Sequence, residues 1–358
     1  MLALIEKNLT STCSRTHSRL PQYGRLEHMT SAHEELGKVV VLTTGGTLSC
    51  TMDPNGALIP TVSGEELIAD IAPRFSGKVD IEVRELHRLD SSSMTFTDID
   101  VIVSEAHKAL AEPNVIGVVV THGTDSMEET AIALDTFHTS PSPIVLTGAQ
   151  LPFDHPESDG QNNLFEAIMV ACDTSARDIG VLVVFGHAVL PARGCMKWHT
   201  SDPLAFATNG PEEPLRADPV SPAKLSDVRI DIIPAFPGAP STLVDAAINA
   251  GSQGLVVEAM GAGNVGTEMG VALGAALDAG IPVVMTTRVP RGEVFGAYGG
   301  AGGGATLAAK GAISSTYFRA GQARVLLAIA VATGVPPCDS FLKTCYIPIK
   351  TSYGISRL

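Results

Sequence analysis

The sequence predicts an α/β protein, with a mostly parallel sheet in a larger N-terminal domain followed by a smaller α/β C-terminal domain. Three observations predict it. Short apolar runs alternate with helix-like stretches along the chain, the pattern of a parallel sheet wrapped by helices. The 358 residues exceed the ~150 of an average domain, so two domains are expected. Hydrophobic residues make up 45% of the chain and charged residues 17%, which suits a packed core and argues against a disordered or repeat protein.

Residues 1–36 are polar and lack steady periodicity, so they read as an arm. The N-terminal domain is expected over 37–208 and opens with a strand at Val39 to Thr43. A long Gly/Ser/Pro/Asn-rich loop follows, beginning Thr44-Gly45-Gly46-Thr47, and its length marks an irregular, mobile lid over Leu48 to Val62. Ser63 with Glu66 three residues on has capping-box spacing and opens a helix. Further strands are expected at Ile81 to Leu86, Gly117 to Thr121, Ile144 to Thr147 and Gly180 to Phe185, with a helix opening near Thr95 and another over Met127 to Phe137. In such sheets ligands bind beyond the carboxyl ends of the strands, so the loops after Thr43, Leu86, Thr121, Thr147 and Phe185 should border one site. Residues 209–226 are rich in Pro, Glu, Asp and Ala and read as a linker. The smaller domain, 227–358, carries strands near Ile230, Leu255 and Ile281 and an apolar run, Val325 to Ala332, that reads as a buried strand or helix.

Several functions are excluded by composition. A formal net charge of -14 argues against a nucleic-acid partner, which needs a basic face. Met1 to Ile5 are apolar but Glu6 and Lys7 end the run before it reaches signal-peptide length, and Val325 to Ala332 falls short of the ~18 residues that span a bilayer. Neither export nor a membrane is expected. The six cysteines, Cys13, Cys50, Cys172, Cys195, Cys338 and Cys345, lack CxxC spacing and read as reduced thiols of a cytoplasmic protein. His122 and His187 belong to no metal-binding cluster, so no metal is expected.

The chemistry concentrates in a few segments. Thr44-Gly45-Gly46-Thr47 leaves a strand with glycines that let main-chain N–H groups approach a ligand. Thr121-His122-Gly123-Thr124-Asp125-Ser126-Met127-Glu128-Glu129-Thr130 leaves a later one. Asp90-Ser91-Ser92-Ser93-Met94, Thr147-Gly148-Ala149-Gln150, Ser158-Asp159-Gly160 through Asn163-Leu164, and Lys197 within Ala192 to Phe206 complete the set. From the residues alone each has a plain alternative. Gly-Gly-Thr is also a tight turn, Asp125 with Glu128 is also a capping box, Asp90-Ser91-Ser92 is also a polar turn before a helix, and Lys197 is also a surface lysine.

Taken together and in this order, these motifs resemble the bacterial-type L-asparaginases, and the match runs from Val39 to the C-terminus. The resemblance implies an amidohydrolase that needs no metal or organic cofactor and acts on a small amide, with L-asparagine the first choice. It implies Thr47 as nucleophile and Thr124, Asp125 and Lys197 as the proton relay, Asp125 also orienting the substrate's ammonium. Gly46, Ser91, Ser92, Gly123 and Ala149 become substrate-binding residues, with Asp90-Ser91-Ser92 receiving an α-carboxylate. The family's sites form between subunits, which implies a homodimer or homotetramer.

The sequence departs from the family at two places. The family's lid carries a tyrosine that reaches the nucleophile, and the matching stretch here is Gly56-Ala57-Leu58-Ile59-Pro60, leaving only Tyr23 and Tyr298 as substitutes. The family also brings an acidic residue from the neighbouring subunit to the substrate, whereas Gly296-Ala297-Tyr298-Gly299-Gly300 contains none and Glu293 lies a few residues earlier. A rival reading comes from Gly261-Ala262-Gly263-Asn264-Val265-Gly266, which fits the dinucleotide fingerprint between a strand and a helix and would suit an NAD-binding oxidoreductase.

Overall fold

The computed structural model describes residues 37–209 and 218–336. The whole N-terminal arm, 1–36, with Tyr23 and Cys13, most of the first half of the linker, and Cys338 and Cys345 lie outside the described residues.

The chain runs β1 (Lys38–Gly45), β2 (Cys50–Met52), β3 (Leu58–Pro60), α1 (Gly64–Ile68), β4 (Asp80–Leu89), α2 (Phe96–Leu110), β5 (Val115–Thr121), α3 (Met127–Phe137), β6 (Ile144–Thr147), α4 (Gly160–Cys172), β7 (Val181–Phe185), β8 (Ala188–Pro191), β9 (Cys195–Lys197) and β10 (Phe206–Thr208). A second unit follows with β11 (Ile230–Pro234), α5 (Thr242–Asn249), β12 (Gly254–Ala259), α6 (Thr267–Asp278), β13 (Val283–Thr287), α7 (Gly304–Ala309), β14 (Ile313–Ser314) and α8 (Ala320–Thr333).

The first sheet has the order β4-β1-β5-β6-β7-β8, parallel throughout except for β8. The interior strand β1 shows why a continuous apolar run is required. Val40 and Leu42 enter the core formed with α2 and α3, while Val39 and Val41 enter the one formed with α1 and α4, so both faces must be apolar. The second sheet, β11-β12-β13-β14, is parallel, with α5 and α6 on one face. Its other face meets α8, whose Val325, Leu326, Leu327, Ala328 and Ile329 are all fully buried. The apolar run near the C-terminus is thus a helix, and it is apolar all round because α3 of the first unit covers its far side.

Threonines tie the carboxyl ends of the first sheet together. Thr44 Oγ1 donates to Thr121 O at 2.8 Å, His122 N to Thr147 O at 2.8 Å, and Thr147 Oγ1 to Val184 O at 2.8 Å. The loops above these ends are held in register by their own first residues.

The segment after β1 differs from the irregular lid expected from its composition. It forms a short 3-10 turn, Thr47–Ser49, and then the antiparallel hairpin β2-β3, paired from Cys50↔Pro60 to Met52↔Leu58. Asp53 makes the hairpin by accepting from Asn55 N at 2.8 Å and Ala57 N at 2.7 Å, while Gly56 supplies the positive φ. The hairpin is docked at Met52 N to Asp154 Oδ2, 3.1 Å, and Phe153 N to Cys50 O, 2.8 Å. The described part of the linker is pinned as well, since Leu225 N and Ser226 N donate to the Asp100 carboxylate at 2.9 and 3.0 Å. Among the described residues no helix is long and apolar enough to cross a membrane.

Candidate active site

Three loops meet through glycines. Gly45 and Gly46 take φ of 102° and 76°, a region open chiefly to glycine, which turns the chain sharply off β1. A Cβ on Gly46 would lie 2.5 Å from the Gly123 main chain, and one on Gly123 would lie 2.5 Å from Ser91 Oγ. The loops after β1, β4 and β5 therefore contact one another directly, and Gly46 N donates to Leu89 O at 3.0 Å to fix the first against the second. Thr47 is half-buried at the start of its 3-10 turn, and no group among the described residues hydrogen-bonds its hydroxyl.

Lys197 approaches from the short hairpin β9-β10. Its Nζ donates to Thr124 Oγ1 at 2.8 Å and to Asp125 Oδ1 at 2.8 Å. The Asp125 side chain is 60% exposed and that of Lys197 22%, so the group opens to solvent on the carboxylate side. A lysine between a hydroxyl and a carboxylate can pass a proton from the hydroxyl. Asp125 N donates to Ser91 Oγ at 3.1 Å, and Ser126 Oγ to Ser91 O at 2.7 Å, so Ser91 sets the direction of Asp125.

The structure brings Gly46, Ser91, Gly123, Thr124, Asp125 and Lys197 together through these contacts, and Thr47 follows Gly46 on the first of the loops. Ser91 is buried with its hydroxyl engaged by Asp125, while Ser92 sits on the exposed side of the same turn. Ala149 is buried beyond β6, leaving only its main chain to offer a ligand. Its loop is organised by Asp159, which accepts from Gln150 N and Leu151 N at 3.0 Å each, and by Asn163, whose Nδ2 reaches Gly148 O at 3.0 Å and whose Oδ1 accepts from Gly186 N at 3.1 Å. Asn163 thereby joins the loops after β6 and β7.

The capping-box reading of Asp125 is corrected. The residue before α3 is Ser126, with no side-chain cap. Asp125 is drawn to Lys197 Nζ instead, and Glu128 Oε2 accepts from Lys197 N at 2.7 Å. A strand from elsewhere in the chain outcompetes the local cap. Burial, helped by the charge of Glu129, pushes the Glu128 carboxyl well above the usual carboxylate range, and burial does the same to Glu129.

His122 is fully enclosed, with Nδ1 2.7 Å from Gly123 O and Nε2 2.8 Å from Thr130 Oγ1. Burial lowers its pKa to about 4, so it serves as a neutral brace within the loop. His187 pairs with Glu166 at 2.6 Å on the surface. Among the described residues no three His, Cys, Asp or Glu converge on a metal position.

The Gly261 to Gly266 turn is committed to its own chain. Gly263 N and Asn264 N donate to Met260 O, and Val265 N donates to Gly302 O at 2.9 Å. The segment around Ala301 and Gly302 lies so close to the first turn of α6 that Gly270 has no room for a Cβ. The Gly263, Asn264 and Val265 N–H groups are thus used within the chain, whereas a pyrophosphate site would need such donors free. At the family's tyrosine stretch, Ala57 and Leu58 are exposed on the hairpin, and Glu293 and Tyr298 are exposed on the second unit.

Sequence reasoning assigned no role at the site to Ser126, Glu128, Asp159, Asn163 or Gln322. Gln322 of α8 donates to Ala192 O at 2.7 Å, Cys195 O at 3.1 Å and Glu128 O at 3.2 Å, and accepts from Gly194 N at 2.9 Å. Asp159 and Asn163 stood inside a matched motif, whereas Gln322 carries no local signal.

Two family models match the chain, "Asparaginase, N-terminal" over residues 38–218 and "Glutaminase/Asparaginase C-terminal domain" over residues 229–339. An L-asparaginase of Bacillus licheniformis is 30% identical over 311 residues, covering 83% of this chain and 96% of the relative. A component of the glutamyl-tRNA(Gln) amidotransferase of Aeropyrum pernix is 32% identical over 285 residues, covering 72% of this chain and 66% of the relative. The crystal structure of a probable cytoplasmic L-asparaginase from Campylobacter jejuni superposes with a TM-score of 0.73 at 27% identity, covering 84% of this chain and 96% of that one.

Proposed function

Since this chain belongs to the asparaginase family and is an asparaginase-like amidohydrolase, we propose that it hydrolyses L-asparagine to L-aspartate and ammonia through an acyl-threonine intermediate. The observation that carries the reading is the contact of Lys197 Nζ with both Thr124 and Asp125, beside the loop in which Gly46 backs onto Gly123. In this mechanism the Thr47 hydroxyl oxygen attacks the side-chain amide carbon, and its proton passes to Lys197 through the Thr124 hydroxyl. The C–N bond breaks as the departing nitrogen takes up a proton, and ammonia leaves. Water then adds to the threonine ester, and its collapse frees the acid and restores Thr47.

Asp125 is the acidic partner for a substrate ammonium, and its exposure suits that role. Ser91 and Ser92 form the turn toward which an α-carboxylate points, with Gly46, Gly123 and Ala149 offering main-chain groups around the amide. The family's assembly makes a homodimer or homotetramer the expected working form. Other small carboxamides, above all L-glutamine, are the alternative within the same chemistry, and the likeness to an amidotransferase component supports testing it. Ammonia release from L-asparagine, D-asparagine, L-glutamine and succinamate, measured beside an NAD titration, tests the reading. Release from L-asparagine above the others is expected; no release from any amide overturns it.

A further inference from the structure

Lys197 is held at two points, and only one of them is its amine. Glu128 Oε2 accepts the Lys197 main-chain N–H at 2.7 Å, four side-chain carbons away from where Nζ meets Thr124 and Asp125. A long flexible side chain keeps its tip in place only if its root does not move. A short hydrogen bond from that root to a buried carboxyl oxygen supplies such a hold.

Glu128 is itself seated by the second unit. Gly321, in the first turn of α8, has no room for a side chain: a Cβ there would stand 3.0 Å from Glu128 Oε1 and 2.6 Å from Glu129 Oε1. The next residue, Gln322, is 3% exposed and holds Glu128 O and the main chain of Gly194 and Cys195 just before Lys197. Glu129 Oε2 is enclosed with no hydrogen-bond partner among the described residues. The carboxyl heads are therefore packed between α3, β9 and α8 rather than solvated. These contacts are made to the main chain around Lys197 and to α8, not to the Lys197 amine or to the Thr124 and Asp125 side chains.

We propose that Glu128 is a positioning residue for amide hydrolysis, fixing the main chain of Lys197 so that its amine meets Thr124, with Gly321 and Gln322 of α8 holding the Glu128 carboxyl in place. The proposal rests on the reading of Lys197 as a member of the proton relay. A displacement of ~1 Å in such a group costs about 10²-fold in rate, which sets the size of the effect.

The test uses steady-state kinetics on the full chain with Glu128→Ala, Glu128→Gln, Gly321→Ala and Lys197→Met. Glu128→Ala is expected to lower kcat about 10²-fold with KM within about 3-fold, because the residue does not touch substrate. Glu128→Gln keeps an oxygen that accepts the Lys197 N–H and is expected to restore kcat to within about 5-fold of wild type. Gly321→Ala pushes on the carboxyls from the other unit and is expected to lower kcat about 10-fold, again without a KM effect. If Glu128→Ala fails to fold, Gly321→Ala and Glu128→Gln decide. Wild-type kcat in folded Glu128→Ala or in Gly321→Ala, a loss confined to KM, or a Gln variant no better than Ala overturns the proposal. Lys197→Met separates the two levels: near-wild-type turnover there removes the relay reading, whereas its inactivity beside fully active Glu128 variants removes only the positioning role.

Discussion

Gly46 and Gly123 pack back to back, so closely that a Cβ on Gly46 would stand 2.5 Å from the Gly123 main chain. Each is followed by a threonine, Thr47 on one loop and Thr124 on the other. The residues that sequence reading placed in one reaction are thus carried on two loops that share a contact, each rooted in a central parallel strand. Close approach of main chain to main chain is possible only without side chains, which explains the pair of glycines.

Thr47→Ala is expected to lower kcat by about 10³-fold or more while leaving the circular dichroism spectrum and melting temperature near those of wild type. Thr47 is half-buried and its hydroxyl has no partner among the described residues, so its removal breaks no hydrogen bond among them. Turnover within a few-fold of wild type in the folded variant would remove Thr47 as nucleophile.

Lys197→Met and Thr124→Val are expected to cost nearly as much singly as together, because the 2.8 Å contact makes them one unit. A double-mutant cycle in kcat decides this. Losses that multiply would mark two independent structural residues.

The hairpin β2-β3 is docked by Met52 N on Asp154, and many of its side chains are exposed. Amide exchange across Cys50 to Pro60 is expected to slow when saturating L-aspartate closes it over the site. Exchange unchanged by the ligand would show that the hairpin is no lid.

Recognition of the α-amino group is expected to be weak. Ala57 and Leu58 occupy the stretch where the resemblance called for a tyrosine, Gly296 to Gly300 contains no acid, and Asp125 is left as the acidic partner. Succinamate or D-asparagine is expected to reach within about 10²-fold of L-asparagine in kcat/KM. A preference of several thousand-fold for L-asparagine would assign that recognition to another residue.

The Glu128 and Glu129 pair makes the fold sensitive to alkali. Burial pushes Glu128 up to about 8, aided by the charge of Glu129, and pushes Glu129 up to about 7; both titrate near ~4.3 in the unfolded chain. The folded state therefore binds more protons between these values. The stability contributed by the pair is present in full below ~pH 4.3 and is lost as pH rises through 7 to 8. Melting temperatures at pH 5.5, 7 and 8.5 should fall more steeply for wild type than for the Glu128→Gln/Glu129→Gln double variant. Equal slopes would show that the pair does not titrate in this range.

Much of the fold was legible because its strands and helices carry their own periodicity. β6 and α3 fall at Ile144–Thr147 and Met127–Phe137, and the box at Ser63 and Glu66 closes as its spacing required. The rest depended on long-range partners. The lid became a hairpin through Asp53 and its docking on Asp154, 102 residues from Met52. The box spacing of Asp125 and Glu128 misled because Lys197, 72 and 69 residues away, claims both carboxylates. The Ser91 hydroxyl also accepts from Asp125 N, and no local pattern announces such a bond.

By sequence α8 belongs to the second unit, yet its fully buried Val325, Leu326, Leu327, Ala328 and Ile329 serve the cores of both. Swinging the two sheets apart would bring that apolar helix into water, at a cost of order 1.5–3 kcal/mol for each large side chain exposed. The hinge opening by which many two-domain enzymes admit ligands is thereby made costly for this one. The two units are therefore expected to melt together rather than in separate steps.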